Sequence, residues 1–206
     1  MKILTYILGN MQTNCYFIIN EETNNAVIID PAAECKKIVD KLIDHNLNLK
    51  YIILTHAHFD HMMALEELRD KTNAPLCVHK YEADAVTDPN LNYMKMFANK
   101  SIKMDPPEII LNDGDKIKID KLEIKVMHTP GHTQGSVCYF IKNNIFTGDT
   151  LFKDDIGRYD LHGGDYAQLM DSLKKLASIE TEYKIYPGHG SSSWLTHEKK
   201  HNIYLH

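Results

Sequence analysis

The chain has 206 residues, of which 43% are hydrophobic and 25% charged, with 23 basic against 28 acidic residues and a formal net charge of -5. A chain of this length can bury most of its apolar surface without disulfides, and the balance suits one globular domain over residues 1–206. It holds no surplus of cations to offset phosphates, so nucleic acid is not an expected partner, and no apolar run reaches a membrane span of about 20 residues.

The N-terminus, "MKILTYILGNMQTNCYFII", is broken by Gly9, Asn10, Gln12 and Asn14. It lacks the uninterrupted apolar core of a signal peptide, and the expected location is the cytoplasm. "KILTYIL", "CYFIIN" and "NAVIID" read as three short strands of an antiparallel meander. "PAAECKKIVDKLIDHNL" follows with helical spacing of Ile38, Val39, Leu42, Ile43 and Leu47, and Pro31 suits its start. "YIIL" is a buried strand, "HMMALEELRDKTN" a helix and "APLCVH" a further strand. Residues 80–103 read as helical and partly polar, and Tyr93, Met94, Met96 and Phe97 would serve either as core or as a lid. Then "PEIIL", "KIKI", "LEIKVMHT", "SVCYFI" and "NIFTG" give five strands, with an "NDGD" turn after the first. "DYAQLMDSLKKLAS" is a helix, "YKIYPGHG" a last strand running into a loop, and "SWLTHEKKHNIYLH" a terminal helix. The repeated order predicts two similar halves, each a sheet covered by helices. The fold class is α/β, a four-layered αβ/βα sandwich with two mixed sheets face to face and helices outside. The four cysteines, Cys15, Cys35, Cys77 and Cys138, form no C-x-x-C pair and read as reduced and mostly buried.

Polar residues gather where predicted strands end. "YIIL" runs into Thr55-His56-Ala57-His58-Phe59-Asp60-His61, "LEIKVM" into His128-Thr129-Pro130-Gly131-His132, "NIFT" into Gly148-Asp149, and "YKIY" into Pro187-Gly188-His189. Loops at strand ends can converge side chains on one spot. The candidates are His56, His58, Asp60, His61, His132, Asp149 and His189. Imidazole and carboxylate are the ligands of a hydrolytic first-row metal. Seven exceed the need of one tetrahedral ion and suit two ions roughly 3.5–4 Å apart. His56 and His58, two apart, can face one ion, while Asp60 and His61 begin the next helix and can face the other. An isolated histidine is more often solvated or satisfied in a core; His45, His79, His162, His197, His201 and His206 take that reading. His128 is intermediate.

"THAHFDH", "HTPGHTQGS", "GDTLF" and "YPGHG" resemble the motifs of the metallo-β-lactamase fold superfamily, and most of all its glyoxalase II-like branch, the hydroxyacylglutathione hydrolases. The resemblance runs from the first strand to His189. It implies a four-layered sandwich and a small-molecule hydrolase. His56, His58 and His132 would hold the first metal, Asp60, His61 and His189 the second, and Asp149 would bridge. Two zinc ions are expected, with iron or manganese as alternatives. Asp60 would also orient the attacking hydroxide. Asp30, at the end of "VIID", would lie behind the ligands and orient a histidine ring, or else cap the following helix. Arg158 and Tyr159, in "DIGRYDLHGGD", match a segment that touches glutathione; the competing role for Arg158 is an ion pair with Asp155, Asp160 or Asp165.

The sequence departs from glyoxalase II in two places. The chain stops 17 residues after His189, so the C-terminal helical domain that supplies cations to glutathione is expected to be missing. Gly190, Ser191, Ser192 and Ser193 stand where those enzymes carry a tyrosine. A thioester is favoured because a thiolate leaves with little protonation and the motifs contain no clear acid. Acyl-homoserine lactonases and iron-dependent persulfide dioxygenases are the alternatives on the same fold.

Overall fold

The computed structural model describes residues 1–97 and 102–205. Two six-stranded sheets dominate it. The first is built from β1 (Lys2–Leu8), β2 (Thr13–Ile19), β3 (Asn25–Ile29), β4 (Asn48–Ile53), β5 (Leu76–His79) and β6 (Ile109–Leu111), in chain order across the sheet. β1, β2 and β3 form the expected antiparallel meander, and β3 to β6 run parallel. The second contains β7 (Lys116–Ile119), β8 (Leu122–His128), β9 (Val137–Ile141), β10 (Asn144–Gly148), β13 (Lys184–Pro187) and β14 (Ser193–Trp194). Its order is β14-β13-β10-β9-β8-β7, antiparallel except for the β10–β13 pair. β11 (Leu151–Phe152) and β12 (Asp155–Ile156) form a separate hairpin.

The period-two alternation of the strands decides the layers. In β2, Tyr16 and Ile18 face the second sheet, where they join Val27, Ile29 and Ile53 and meet Ile124, Val126, Tyr139 and Phe146. Cys15, Phe17 and Ile19 point the other way, to a cluster shared with Cys35, Ile38 and Leu42 of α1 (Cys35–Asp44) and Leu65 and Leu68 of α3 (Leu65–Thr72). On the far face of the second sheet, Cys138, Ile145 and Ile185 pack against Leu169, Leu173 and Leu176 of α6 (Tyr166–Ala177) and Leu195 of α7 (Leu195–His201). The result is the predicted αβ/βα sandwich. Full burial of each large aliphatic side chain contributes about 1.5–3 kcal/mol. All four cysteines are buried and free. No helix among the described residues is long and apolar enough to cross a membrane.

Four expectations are corrected. The first helix begins at Cys35 and not near Pro31. Pro31 and Ala32 give their carbonyls to the amides of Ala64 and Met63, and Glu34 is left-handed, so no helical turn starts there. For the same reason the predicted helix over 61–73 is split into α2 (Phe59–Met62) and α3: Met63 and Ala64 donate out of the helix. "PEIIL" completes the first sheet and does not open the second. Arg69 holds the carbonyls of Asp105 and Pro106 and the carboxylate of Glu108, and Glu108 in turn accepts from the Leu76 amide. The C-terminal helix stops at His201 and is followed by a 3-10 turn over Ile203–Leu205. In the 80–103 segment, a 3-10 turn (Lys80–Glu82) leads into α4 (Ala83–Thr87) and then α5 (Met94–Phe97). Residues 98–101 of that segment, and His206, lie outside the described residues.

Candidate metal centre

The candidate residues come from the carboxyl ends of strands in both sheets. The chain leaving β4 carries His56 and His58, and α2 carries Asp60 and His61. The loop after β8 carries His132, the end of β10 carries Asp149, and the loop after β13 carries His189. An amide of the β2 end and a carbonyl near His189 help join the halves there: Asn14 N–H donates to Gly188 O at 2.7 Å.

These seven side chains converge into two adjoining clusters. In the first, His56 Nε2, His58 Nδ1 and His132 Nε2 lie 3.0–3.2 Å from one another. A tetrahedral ion about 2.0–2.1 Å from each nitrogen would set them roughly 3.3 Å apart. In the second, His61 Nε2 is 3.6 Å from Asp60 Oδ2, and His189 Nε2 is 3.2 Å from the same oxygen. Asp149 stands between them. One oxygen is 3.4 Å from His61 Nε2; the other is 3.5 Å from His189 Nε2 and 3.7 Å from His132 Nε2. Buried side-chain atoms without a hydrogen-bond partner include His58 Nε2, His61 Nε2 and Asp149 Oδ1. Stranding such atoms costs about 1–3 kcal/mol each, and an ion at this spot would satisfy the last two. The donor set and its spacing fit a pair of metal ions.

Three of the rings are also held by their outer nitrogens. His61 Nδ1 meets Asp30 Oδ2 at 2.9 Å, His132 Nδ1 meets the Arg158 carbonyl at 2.7 Å, and His189 Nδ1 meets the Met11 carbonyl at 3.2 Å. Such partners fix tautomer and ring orientation in metal sites. Asp30 also accepts from the Thr55 amide at 2.8 Å and the Thr55 hydroxyl at 2.7 Å. It does not cap α1, whose N-cap position is Glu34. Thr13, buried at the start of β2, donates its hydroxyl to Asp60 Oδ2 at 3.0 Å.

The electrostatics divide along the same line. Burial and the neighbouring rings keep His56 and His132 below the ordinary histidine range, and His58 is pulled down to about 3. Three neutral imidazoles are what a cation needs. Burial opposes charge on His61 too, but Asp60, Asp149 and Asp30 outweigh it and push that ring well above its usual value. His189 is raised by its hydrogen bond to Asp60 and by Asp149, against burial. Burial alone would raise Asp60; the His61 and His189 rings hold it at about 2. Asp149 is lowered in the same way, chiefly by His61.

A cleft of about 390 Å³ opens over both clusters, with Met11, Phe59, Tyr93, Phe97, Phe152, Leu161 and Arg158 among its walls. Arg158 lies at its rim, and its guanidinium pairs with Asp160 at 2.7 and 2.9 Å. Tyr159 does not line the cleft; its ring packs on Tyr166 with centroids 4.9 Å apart. Met94 is core, whereas Tyr93 and Phe97 are cleft walls. The sequence does not mark Tyr93 as a site residue. Its ring stands edge-on to His58 at 5.5 Å, its backbone is left-handed at φ 63°, and its hydroxyl accepts from the His162 amide at 2.6 Å. A strained non-glycine residue beside a ligand is the signal that only the structure supplies.

His128 stays outside the clusters, stacked on His79 at 4.2 Å. A separate Asp154–His197–Glu198 group also has metal-like spacing. Its atoms are already engaged: His197 with Asp154 at 2.6 Å, and Glu198 with Ser193, Asn202 and the Asp154 amide.

Two facing sheets whose strand ends gather imidazoles and carboxylates into adjoining clusters define a metal-binding class of α/β proteins. The family model of the metallo-beta-lactamase superfamily matches residues 8–189, and the chain belongs to that superfamily. It is 33% identical over 208 residues to the probable metallo-hydrolase YqgX of Bacillus subtilis, covering 100% of this chain and 98% of that one. It is 32% identical over 198 residues to the hydroxyacylglutathione hydrolase GloC of Haemophilus influenzae, covering 94% and 93%. Among solved structures, the BLEG-1 B3 metallo-beta-lactamase superposes with a TM-score of 0.93 at 34% identity, covering 99% of each chain. TTHA1623 in a di-iron-bound form superposes with a TM-score of 0.84 at 31% identity, covering 98% of this chain and 100% of that one.

Proposed function

We propose that the protein is a dinuclear metal hydrolase, with zinc in both positions, that cleaves a thioester such as a hydroxyacylglutathione. The observation that carries this reading is the convergence of the seven side chains into two clusters that share Asp149. His56, His58 and His132 would hold the first ion, Asp60, His61 and His189 the second, and Asp149 would bridge. Bound metal would supply a Lewis acid and a hydroxide near neutral pH. Asp60, steadied by the Thr13 hydroxyl, would orient the nucleophilic oxygen. Asp30 keeps His61 turned toward the centre, and the Arg158 carbonyl does the same for His132. The walls formed by Met11, Phe59, Tyr93 and Phe152 offer apolar surface to the acyl and thiol parts. A thiolate leaving group needs little protonation, which suits a set of motifs without an evident strong acid.

The likeness to GloC supports the thioester and the hydroxyacylglutathione class. The di-iron neighbour with similar fold supports iron as the second candidate metal. The deciding experiment combines metal analysis of purified protein with turnover of S-lactoylglutathione, other thioesters, lactones and a β-lactam. Two metal equivalents and thioester turnover are expected, and His58→Ala should lower first-site metal occupancy and cut kcat/KM by at least 100-fold. Lactone turnover without thioester turnover would replace the substrate assignment. An unchanged metal content and rate in His58→Ala would overturn the site itself.

A further inference from the structure

Glu82 stands outside every motif and ends the 3-10 turn after β5, yet its side chain is 3% exposed. One carboxylate oxygen accepts from the Ala57 amide at 2.7 Å. The other accepts from the Gly135 amide at 2.8 Å and from the Thr133 hydroxyl at 2.7 Å. Ala57 is the residue between His56 and His58, and Thr133 follows His132. One side chain therefore ties together the two loops that carry the first cluster, and those loops come from opposite sheets. The carboxylate is closely boxed in: a Cβ on Gly135 would come within 2.7 Å of Glu82 Oε1.

A buried carboxylate is costly, and a packed apolar residue in its place is often as stabilising or more so. Three acceptor contacts at set angles are what the apolar residue cannot provide. Loss of spacing between the loops would spread three nitrogens that now lie within 3.2 Å of one another. We propose that Glu82 is a positioning residue that clamps the His56–His58 loop to the His132 loop and thereby sets the affinity and geometry of the first metal position. This rests on the dinuclear reading above.

The test uses the full chain as wild type, Glu82→Gln and Thr133→Val, each stripped of metal and titrated with cobalt(II). Absorbance reports ligand geometry, chelator competition reports affinity, and thermal unfolding reports stability. Glutamine keeps the size but turns an N–H₂ group toward one of the two loops, so one clamp contact becomes donor against donor. Valine removes one of the three clamp contacts, together with the Thr133–Ser136 hydroxyl pair, and serves if the glutamine variant fails to fold. The expected result is a 10–100-fold weaker first cobalt equivalent for Glu82→Gln, the range seen when partners behind metal ligands are removed, with an altered cobalt spectrum. Thr133→Val should move the same way by a smaller factor. If the variants bind cobalt with wild-type affinity and spectrum, whatever their melting temperatures, Glu82 serves only stability and the proposal fails alone. If the wild type itself takes up no metal, the dinuclear reading fails and takes this one with it.

Discussion

Single side chains near the centre have little freedom. Gly188 shows this most directly: a Cβ there would lie 2.1 Å from Asp149 Oδ1 and 2.7 Å from His61 Cε1. His61 cannot retreat, since it is fixed by Asp30 and fully buried. Gly188→Ala should fold with a lowered melting temperature and hold one metal equivalent where two are proposed for the wild type. Two equivalents in the variant, measured by elemental analysis, would show that the Asp149 carboxylate is free to move.

At the scale of elements, α6 braces the second sheet and the loop before His132, where the Ser172 hydroxyl donates to Pro130 O at 2.7 Å. Asp165 caps it by accepting from the Gln168 amide at 2.9 Å, and Leu169, Leu173 and Leu176 bury its inner face. Asp165→Ala should cost about 1 kcal/mol, with the melting temperature falling by roughly 2–4 °C. Metal content and turnover should not change, because the capping side chain contacts none of the seven candidate ligands. An unaltered melting temperature would mean that the helix start is held by its backbone bond from Asp165 N–H to Gly131 O. The loop segments behave differently. Met63 and Ala64 leave the helical ladder to bond Ala32 and Pro31, and that break lets α2 present Asp60 and His61 at the cleft while α3 covers the sheet.

For the molecule as a whole, the two clusters titrate in opposite senses. In the metal-free protein, His56, His58 and His132 are held neutral below their ordinary range, so protons do not compete for them near neutrality. His61 and His189 are raised above that range, so each must lose a proton before it can bind a cation. Lowering the pH therefore adds protons to the second cluster first. Metal content measured after dialysis at falling pH should drop from two equivalents to one before the first-cluster ion is lost. Loss of both ions together would contradict the division.

The candidate centre was legible in the sequence to the extent that its candidate ligands sit at the ends of apolar strands. H-x-H-x-D-H places four of them within six residues, and His132, Asp149 and His189 each follow a strand with a characteristic glycine nearby. The layered fold was legible for a related reason: alternation along β2, β3 and β8 marks which face is buried, and local period is a property of the chain alone. Glu82, Thr13 and Tyr93 carried no such mark. Their partners lie 25 to 69 residues away in the chain, at Ala57, Thr133, Gly135, Asp60 and His162, and a lone Glu, Thr or Tyr looks like any surface residue until those contacts form. Sheet membership of β6 and the late start of α1 were decided the same way, by Arg69 with Glu108 and by backbone bonds from Met63 and Ala64. The sequence by itself determined which residue types meet at the strand ends and hence the chemistry on offer. Tertiary structure alone decided how the two halves are clamped, which rings are neutral and which walls a substrate meets, because those depend on distances between segments far apart in the chain.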